Sequence, residues 1–323
     1  MAFTAQPRLP HRTIRIGLDI GGTKTDAVAI GADDEIIGRI RRATGHGDDA
    51  VVADVVDSVR ELQAEAGFVL AEVSSVGVGI PGMVDAVRGR VLHAVNLGVE
   101  SLDLARLARA QLGIPVAVEN DVKAAALGAA SLRADAAGAS MAYLNLGTGV
   151  AAGIVTDGTL WRGARGTAGE VGHISVDPAG RLCTCGQRGC IETLCGGGAL
   201  ARAWGRPGAL PVRDILDAAD QGDTEALLLR ADLARGAAAA VRVLVLSADV
   251  ETVVIGGGLT ALGDRLDDGI RTALIADAAG SPFLRSLHFD ERIELLPSGS
   301  PAAALGAALV GALVPEEEIA VHG

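Results

Sequence analysis

A strand, a glycine-rich turn and a returning strand follow one another twice in this sequence. The first copy covers residues 17–23 (GLDIGGT) and leads into residues 26–30, and the second covers residues 143–149 (YLNLGTG) and leads into residues 152–155. Two copies this far apart suggest two related halves, each presenting one glycine hairpin to a shared cleft. The repeat therefore predicts a chain built from two similar domains.

Around this repeat, short aliphatic strands alternate with amphipathic helices, which is the pattern of an α/β protein. The glycine turn inside the uncharged run 136–156 favours two buried strands over a membrane span. Gly67 is placed to end the first long helix, and the last helix is expected to cross back to the first half. The predicted strands are 14–20, 26–30, 76–80, 114–118 and 252–255, and the predicted helices are 52–62, 104–112, 122–132, 224–247 and 302–313.

Composition and charge narrow the choice of partners. The 323 residues are 49% hydrophobic and 21% charged, which is an ordinary globular mixture. A formal net charge of -12 argues against a nucleic-acid backbone or an anionic membrane surface, because either needs a basic field. Small molecules are therefore the expected ligands. The first twelve residues lack the apolar run of an export signal, which predicts a cytoplasmic protein.

Three glycine turns that follow aliphatic strands point to a nucleotide. They lie at residues 21–23, 147–149 and 256–258. Any one of them could be only a tight hairpin, but a glycine turn also lets successive backbone N–H groups approach phosphate oxygens, and three turns together favour that use. None matches the phosphate loop that ends in Gly-Lys-Ser/Thr, and none fits the Rossmann spacing. The sequence thus predicts a nucleotide-binding fold of another kind.

The order of these motifs carries a resemblance. Residues 19–24 (DIGGTK), 147–149 (GTG) and 256–258 (GGG) resemble the first phosphate, second phosphate and adenosine motifs of the sugar-kinase, Hsp70 and actin superfamily. Within that superfamily the chain is similar, over residues 14–313, to the ROK family of repressors, open reading frames and sugar kinases. The resemblance implies an α/β fold with two actin-like (ribonuclease H-like) domains around an ATP and sugar cleft. It divides the chain into a small domain of residues 1–119, completed by a C-terminal helix 302–323, and a large domain of residues 120–301.

The same resemblance implies ATP and Mg²⁺ as cofactors and assigns their contacts. Asp19 is expected to hold Mg²⁺ through water, the first turn to face the β and γ phosphates, and Gly257 to lie near the adenosine. Lys24, beside the first turn, could touch a phosphate or be only a solvated strand residue. The implied cofactor-binding residues are Asp19, Gly21, Gly22, Thr23, Lys24, Gly147, Thr148, Gly149, Gly256, Gly257 and Gly258.

Three cysteines within eight residues predict a metal site. Preceded by a histidine, they supply the Cys₃His composition of a closed, tetrahedral structural zinc site, with a histidine beside unligated cysteines as the alternative. Spacing alone leaves the fourth ligand least secure. The family pattern of Gly-His followed by Cys-x-Cys-Gly-x-x-Gly-Cys-x-Glu is matched in residues 172–192, so the resemblance implies the histidine as a ligand. Cys195 lies outside this pattern and is expected in the core. The expected zinc ligands are His173, Cys183, Cys185 and Cys190.

Asp121 lies where a predicted strand ends and a predicted helix begins. Taken alone, this position favours a capping aspartate, whose side chain accepts hydrogen bonds from the first turn of the helix. The resemblance implies a different role, because residues 119–122 (ENDV) match the catalytic segment of the family and Asp121 falls on its general base. A carboxylate suits that role, since phosphoryl transfer to an alcohol needs a group that accepts the hydroxyl proton.

The resemblance also implies the sugar contacts, and two departures from the family leave the sugar open. Family glucokinases commonly carry a tryptophan shortly after the asparagine matched by Asn96, whereas this chain continues with residues 97–100 (LGVE), which leaves room for a substituent such as an N-acetyl group. Lys123 and Arg165 replace frequent asparagines and bring cations near the sugar. The implied substrate-binding residues are Gly82, Asn96, Asn120, Asp121, Glu170, His173 and Glu192.

Together these expectations describe an ATP-dependent kinase that phosphorylates the 6-hydroxyl of glucose or of an N-acetylhexosamine such as N-acetylglucosamine. The alternatives are a sugar-responsive ROK regulator and a catalytically silent sugar-binding protein. A regulator would carry a helix-turn-helix domain before the first phosphate motif, and only 18 residues precede Asp19. The resemblance further implies a homodimer.

Overall fold

The computed structural model describes residues 13–133 and 139–313. The strands are β1 Ile14–Ile20, β2 Lys24–Ile30, β3 Ile36–Ala43, β4 Val73–Ile80, β5 Met83–Asp85, β6 Arg90–Ala94, β7 Val99–Leu102, β8 Val116–Asn120, β9 Ser140–Leu146, β10 Val150–Thr156, β11 Thr159–Trp161, β12 Thr252–Gly256 and β13 Ile293–Leu295. The α-helices are α1 Asp48–Ala66, α2 Leu104–Leu112, α3 Asp121–Ser131, α4 Ile191–Cys195, α5 Gly197–Trp204, α6 Pro211–Asp220, α7 Thr224–Ala248, α8 Asp264–Ala278, α9 Pro282–Arg285 and α10 Ala302–Gly311. Short 3₁₀ turns lie at Leu70–Glu72, Val95–Leu97, Val171–His173 and Gly258–Leu262.

The described residues form two compact units. The first comprises residues 13–128 and 301–313, and the second comprises residues 129–133 and 139–300. Residues 120–128, which the sequence analysis placed after the domain boundary, group with the first unit. Of the predicted C-terminal helix 302–323, residues 302–311 are helical, and residues 314–323 lie outside the described part of the chain.

The first unit is built on a five-stranded sheet of order β3-β2-β1-β4-β8. The β2 strand runs antiparallel to both β1 and β3, whereas β1, β4 and β8 are parallel to one another. Helix α1 covers part of this sheet with a valine-rich face, and it ends at Gly67, whose φ of 75° gives the left-handed conformation that stops the helix. A small sheet of order β5-β6-β7 completes the unit.

Helix α10 returns to the first unit and packs against β1 and β4. The backbone approach is close, because a Cβ atom at Gly17 or Gly77 would overlap the backbone oxygen of Ala304 or Ala307. Val28 and Ile30 of β2 join the apolar residues of this helix in a small buried cluster. The expectation that the last helix crosses back to the first half is confirmed.

The second unit is built on a sheet of order β11-β10-β9-β12-β13. Its β10 strand runs antiparallel to β9 and β11, and β9, β12 and β13 are parallel. Order and directions are therefore the same as in the first unit, with the β1–β2 and β9–β10 glycine hairpins in equivalent positions. This match confirms the internal repeat and the α/β fold with two similar domains. The long helix α7 contributes ten buried residues to the core, nearly all aliphatic or alanine.

Most predicted elements have the expected type and nearly the expected bounds. The largest differences are in α1, predicted at 52–62 and observed at Asp48–Ala66, and in β4, predicted at 76–80 and observed from Val73. The strand predicted at 114–118 is displaced as a whole and lies at Val116–Asn120. Pro115 lacks an N–H group and contributes only its carbonyl, which accepts a hydrogen bond from Val76 N at 2.9 Å. Regular pairing of the strand with β4 therefore begins at Val116. The uncharged run near residue 146 forms the β9–β10 hairpin, and no helix among the described residues is both long and apolar enough to span a bilayer.

Candidate active site and metal centre

The first glycine turn joins β1 to β2 and lies against a polar segment of the first unit. The Gly21 N–H closes the turn by donating to Lys24 O at 2.9 Å. A Cβ atom at Gly22 would lie 3.4 Å from the Cβ of Asn96, which belongs to the 3₁₀ turn Val95–Leu97. The turn predicted to face phosphate and the asparagine predicted to hold sugar are therefore neighbours. Lys24 is exposed at the start of β2.

Asp19 lies near the end of β1 and opposite Asp26 of β2 in the sheet register. Burial, followed by the negative charges of Asp121 and Asp26, raises the pKa of Asp19 to about 7, and Arg41 partly opposes this rise. The cluster therefore presents excess negative charge beside the first turn. A bound cation would relieve this repulsion, so the residues present fit the predicted Mg²⁺.

Asp26 is held by two arginines of β3. Arg39 donates through Nε to Oδ1 at 3.0 Å and through NH2 to Oδ2 at 2.7 Å, and Arg41 donates to Oδ2 at 2.5 Å. Burial opposes ionisation of Asp26, but the hydrogen bonds from Arg39 and Arg41 outweigh it and lower its pKa. Asp26 thus remains ionised beside Asp19. The sequence analysis read residues 26–30 only as a strand and missed this group, although the sheet pairing places Arg39 and Arg41 beside Asp26.

Helix α3 begins at Asp121, directly after β8, as the sequence predicts. The cap is supplied mainly by Asn120, whose Oδ1 accepts from Val122 N at 3.1 Å and Lys123 N at 3.2 Å. Asp121 Oδ1 also accepts from Val122 N, at 2.9 Å. Because Asn120 takes the capping role, the aspartate is not required to hold the helix end on its own.

Two predicted sugar contacts are joined directly. Asn120 Nδ2 donates to Gly82 O at 3.3 Å, so β8 and the turn after β4 are tied together. Lys123 lies in the first turn of α3 and is only 3% exposed. The first unit therefore holds Asn120, Asp121, Gly82 and Asn96, while the predicted contacts Glu170, His173 and Glu192 belong to the second unit.

The second glycine turn, residues 147–149, joins β9 to β10. The Gly147 N–H donates to Gly149 O at 3.1 Å, and the first amides of α5 cover the turn, with Gly197 N donating to Gly147 O at 2.8 Å and Gly198 N to Thr148 O at 2.9 Å. The hydrogen bonds from α5 therefore hold the carbonyl groups of Gly147 and Thr148 in place.

A carboxylate fixes the same hairpin from α4. Glu192 Oε2 accepts from Val150 N at 3.0 Å. Glu192 follows Cys190 by two residues, so the hydrogen bond connects the cysteine loop with the glycine turn. The sequence analysis assigned Glu192 only to the sugar, and the other carboxylate oxygen, Oε1, is left for that use.

The third glycine motif packs onto the second. Gly257 has a φ of 89°, and a Cβ atom there would lie 2.6 Å from Asn145 Oδ1, so glycine is required at this position. A cavity of about 350 Å³ opens beside these two motifs in the second unit. Its lining includes Gly147, Thr148 and Gly258 together with α6 residues Pro211, Val212 and Arg213, which the sequence analysis did not single out.

Glu170 and His173 lie on one tight segment against β10. Ala152 N donates to Gly169 O at 2.7 Å, and His173 N donates to Glu170 O at 3.2 Å across the 3₁₀ turn Val171–His173. These hydrogen bonds fix the backbone that carries both residues. Glu170 is exposed, as is Arg165 in the preceding loop.

His173, Cys183, Cys185 and Cys190 form a compact cluster in which the potential ligand atoms all lie within 4.8 Å of one another. Cys185 Sγ is 3.6 Å from Cys190 Sγ, and Cys183 Sγ is 3.8 Å from His173 Nδ1. Tetrahedral zinc with Zn–S bonds of about 2.3 Å would separate two sulfur ligands by about 3.8 Å. The spacing of the four side chains therefore fits a zinc ion, with Nδ1 as the histidine donor.

The thiols of the cluster differ in acidity before a metal binds. Hydrogen bonds from Gln187, chiefly from its backbone N–H, lower the pKa of Cys185 to about 6. Burial raises the pKa of Cys190. Cys195 lies in the core outside the cluster, where burial also raises its pKa and its Sγ donates to Ile191 O at 3.5 Å. Its position agrees with the expected core role.

Comparisons with known proteins identify the family. The ROK family profile matches residues 15–312. The chain is 33% identical over 277 residues to a glucokinase of Streptomyces coelicolor, covering 80% of this chain and 86% of that protein. It is 31% identical over 251 residues to an N-acetylmannosamine kinase of Yersinia pseudotuberculosis, covering 76% of this chain and 82% of that protein.

A solved structure gives the same result. The ROK family glucokinase of Streptomyces griseus, determined in complex with glucose and AMPPNP, superimposes with a TM-score of 0.73 and 31% identity, covering 93% of this chain and 99% of that one. The residues matched by the family profile, 15–312, include both glycine hairpins and the cysteine cluster. This chain belongs to the ROK family.

Proposed function

We propose that this protein is an ATP-dependent sugar kinase that transfers the γ-phosphoryl group of Mg·ATP to the 6-hydroxyl of a hexose or an N-acetylhexosamine. The observation that carries the proposal is the placement of two carboxylates beside the first glycine turn. Asp19 pairs with Gly79 in the sheet register, and a Cβ atom at Gly79 would lie 3.5 Å from the Cα of Asp121. One carboxylate is thereby available for a magnesium ion and another for a hydroxyl proton. Related glucokinases and N-acetylmannosamine kinases support this reaction class.

ATP is assigned to the three glycine motifs. The cavity of about 350 Å³ in the second unit suits an adenine and its ribose, because it is mostly apolar and lies against the third motif. Since the N–H groups of Gly21 and Gly147 are used within their own turns, the phosphates are assigned to the remaining turn amides, those of Gly22, Thr23, Thr148 and Gly149. AMPPNP in the related Streptomyces griseus structure supports ATP as the donor.

Asp121 is assigned as the general base. The sugar hydroxyl oxygen attacks the γ-phosphorus, the bond to the β–γ bridging oxygen breaks, and ADP leaves while the Asp121 carboxylate takes the hydroxyl proton. Asp19 is assigned to hold Mg²⁺ through water, and the bound ion would supply positive charge to the phosphates. Asn120 orients this end of the site, because it caps α3 and bonds to Gly82 O.

The sugar is assigned to Gly82, Asn96, Asn120, Glu170, His173 and Glu192, with glucose and N-acetylhexosamines as the acceptors. Carboxylates and amides bind neighbouring hydroxyls through paired hydrogen bonds. A buried polar group that is left without a hydrogen-bond partner costs binding free energy, so a sugar that lacks the matching hydroxyl binds less well.

Zinc is assigned a structural role. All four positions would be occupied by His173 and the three cysteines, so no position remains for a reactive water. When bound, zinc would fix the loop that carries Glu192 and the tautomer of His173, leaving Nε2 for the sugar. The homodimer implied by the family resemblance stays a prediction that light scattering can test.

An ADP-release assay across glucose, mannose, fructose, N-acetylglucosamine and N-acetylmannosamine tests the proposal. We expect sugar-dependent ADP release with at least one hexose or N-acetylhexosamine, and a 6-deoxy analogue of that sugar should be inactive. Absence of release with every sugar, in protein that binds ATP and is folded, would overturn it.

A further inference from the structure

Residues 44–47 connect β3 to α1 and form a loop that is fixed to the first glycine hairpin. Thr44 N donates to Thr23 O at 3.1 Å, and the hydroxyls of Thr44 and Thr25 lie 2.9 Å apart. Thr23 belongs to the turn assigned to phosphate, so the start of the 44–47 loop has a set position relative to that turn.

The other end of the 44–47 loop is fixed to α1 and to the 3₁₀ turn Val95–Leu97. The carboxylate of Asp54, which is only 7% exposed, accepts from Gly45 N at 2.6 Å. Gly47 N donates to Leu97 O at 2.7 Å. Such a short hydrogen bond to a buried carboxylate is strong, and it holds the loop against the segment that carries Asn96.

The loop places the His46 imidazole directly over Gly98. A Cβ atom at Gly98 would lie 2.7 Å from His46 Nδ1 and 2.8 Å from Nε2, and Gly98 has a φ of 68°. Any side chain here would overlap the ring and strain the backbone. The imidazole thus takes the space over Gly98, two residues after Asn96, along a segment that has no tryptophan.

His46 is exposed, and within the described part of the chain neither ring nitrogen forms a hydrogen bond. A neutral imidazole offers one donor and one acceptor. An indole in the same space would present a larger apolar surface, whereas the imidazole presents two polar atoms. Because His46 is exposed, its ring nitrogens are accessible to a polar substituent of a bound sugar.

We propose that His46 is a specificity-determining residue that hydrogen-bonds the acetamido group of an N-acetylhexosamine acceptor, and that Asp54 positions it through the 44–47 loop. This inference rests on the proposed sugar kinase activity and names the acceptor class for it. Either polar group of an acetamido substituent can pair with the ring, because its carbonyl can accept from the protonated ring nitrogen or its N–H can donate to the other nitrogen.

His46→Phe tests the contact, because it keeps a ring over Gly98 and removes both nitrogens. We expect the ratio of kcat/KM for N-acetylglucosamine to kcat/KM for glucose to fall about fivefold or more, as for the loss of one hydrogen bond, while the KM for ATP stays within about twofold. His46→Ala should lower the same ratio. The control is His288→Asn, which removes another exposed histidine, in the second unit, at a left-handed position that asparagine tolerates.

Asp54 gives an independent test of positioning. Asp54→Asn keeps a side-chain oxygen that can accept from Gly45 N, whereas Asp54→Ala removes it. We expect Asp54→Ala, like His46→Phe, to lower the ratio of kcat/KM for N-acetylglucosamine to kcat/KM for glucose. Asp54→Asn should keep the wild-type ratio. A role in stability alone would lower the melting temperature of the alanine variant without changing the ratio.

The outcomes separate the inference from the proposed function. A wild-type protein that phosphorylates neither sugar class contradicts the kinase itself. A wild-type protein that phosphorylates hexoses but no N-acetylhexosamine, or a sugar ratio unchanged in His46→Phe, overturns only the role of His46.

Discussion

One carboxylate oxygen of Glu192 accepts a hydrogen bond from the backbone N–H of Val150, at 3.0 Å. This contact connects two parts that the sequence suggests separately, the cysteine loop and the second glycine hairpin. A metal ion in the cluster would therefore influence the hairpin assigned to phosphate as well as the sugar contacts.

Replacement of Glu192 by alanine should impair ATP and sugar binding together. The Val150 N–H would lose its partner, at a cost of about 1–3 kcal/mol, and the sugar would lose an acceptor. We expect the KM for ATP to rise about five- to fiftyfold, with a similar or larger rise for the sugar, in steady-state kinetics. Glu192→Gln retains an oxygen for Val150 and serves as the control, with a near-normal KM for ATP. A change in the KM for sugar alone would contradict the connection.

Replacement of Asp121 by alanine should remove turnover and leave sugar binding measurable. Loss of a general base costs about 10² to 10⁴ in rate, and the fold should survive because Asn120 still caps α3. Turnover can be measured by ADP release and binding by calorimetry. Turnover near the wild-type value would show that another group takes the proton.

The raised pKa of Asp19 predicts an unusual pH dependence of stability. Its pKa is about 7 in the folded protein against 3.8 for an ordinary aspartate, so folding binds a proton between these pH values. In the absence of Mg²⁺, the contribution of Asp19 to the free energy of unfolding is therefore lost as the pH rises from about 4 to 7. Asp19→Asn cannot ionise, and we expect its melting temperature to exceed that of the wild type at pH 8 by more than at pH 5.

Asp121→Asn gives a matched comparison for the Asp19 experiment. It removes one of the two neighbouring carboxylates that raise the pKa of Asp19, while Asp26 remains, so it should show part of the same gain at pH 8. Equal differences in melting temperature at both pH values would argue against a shifted Asp19. Loss of Mg²⁺-dependent activity in Asp19→Asn would accompany the stability gain.

The cysteine cluster should bind one zinc ion per chain. We expect elemental analysis of freshly purified protein to give about one equivalent, and removal by a chelator to lower both the melting temperature and the activity. Cys183→Ser should lose the metal. Cys195→Ala is the control, because Cys195 lies in the core outside the cluster and should leave the zinc content unchanged. Full activity after complete removal of zinc would refute a role in shaping the site.

Local patterns were sufficient to predict much of the fold. Strand β1 and helix α2 have their predicted bounds, because aliphatic periodicity and the glycine after α2 act within a few residues. The internal repeat predicted two similar domains, which the matching strand orders confirm. Pro115 is the local exception, since its missing N–H moved the start of β8.

The sequence patterns did not predict contacts between residues that are far apart along the chain. The hydrogen bond between Val150 and Glu192 spans 42 positions, and nothing in either local segment indicates it. The ion pairs of Asp26 with Arg39 and Arg41 depend on the register of β2 and β3, which short strands do not specify by composition. The nucleotide and sugar assignments rested on family motifs, and the site geometry adds Asp26, Asp54 and His46 to them.

The return of α10 to the first unit has a consequence for how the protein is made. During synthesis, the β1–β4 face stays uncovered until residues 302–311 leave the ribosome, although the strands themselves are translated well before α10. The second unit lies between these two parts in the sequence and can fold earlier. A nascent or truncated chain lacking α10 would expose Val28 and Ile30, so completion of the first unit waits until α10 has been translated.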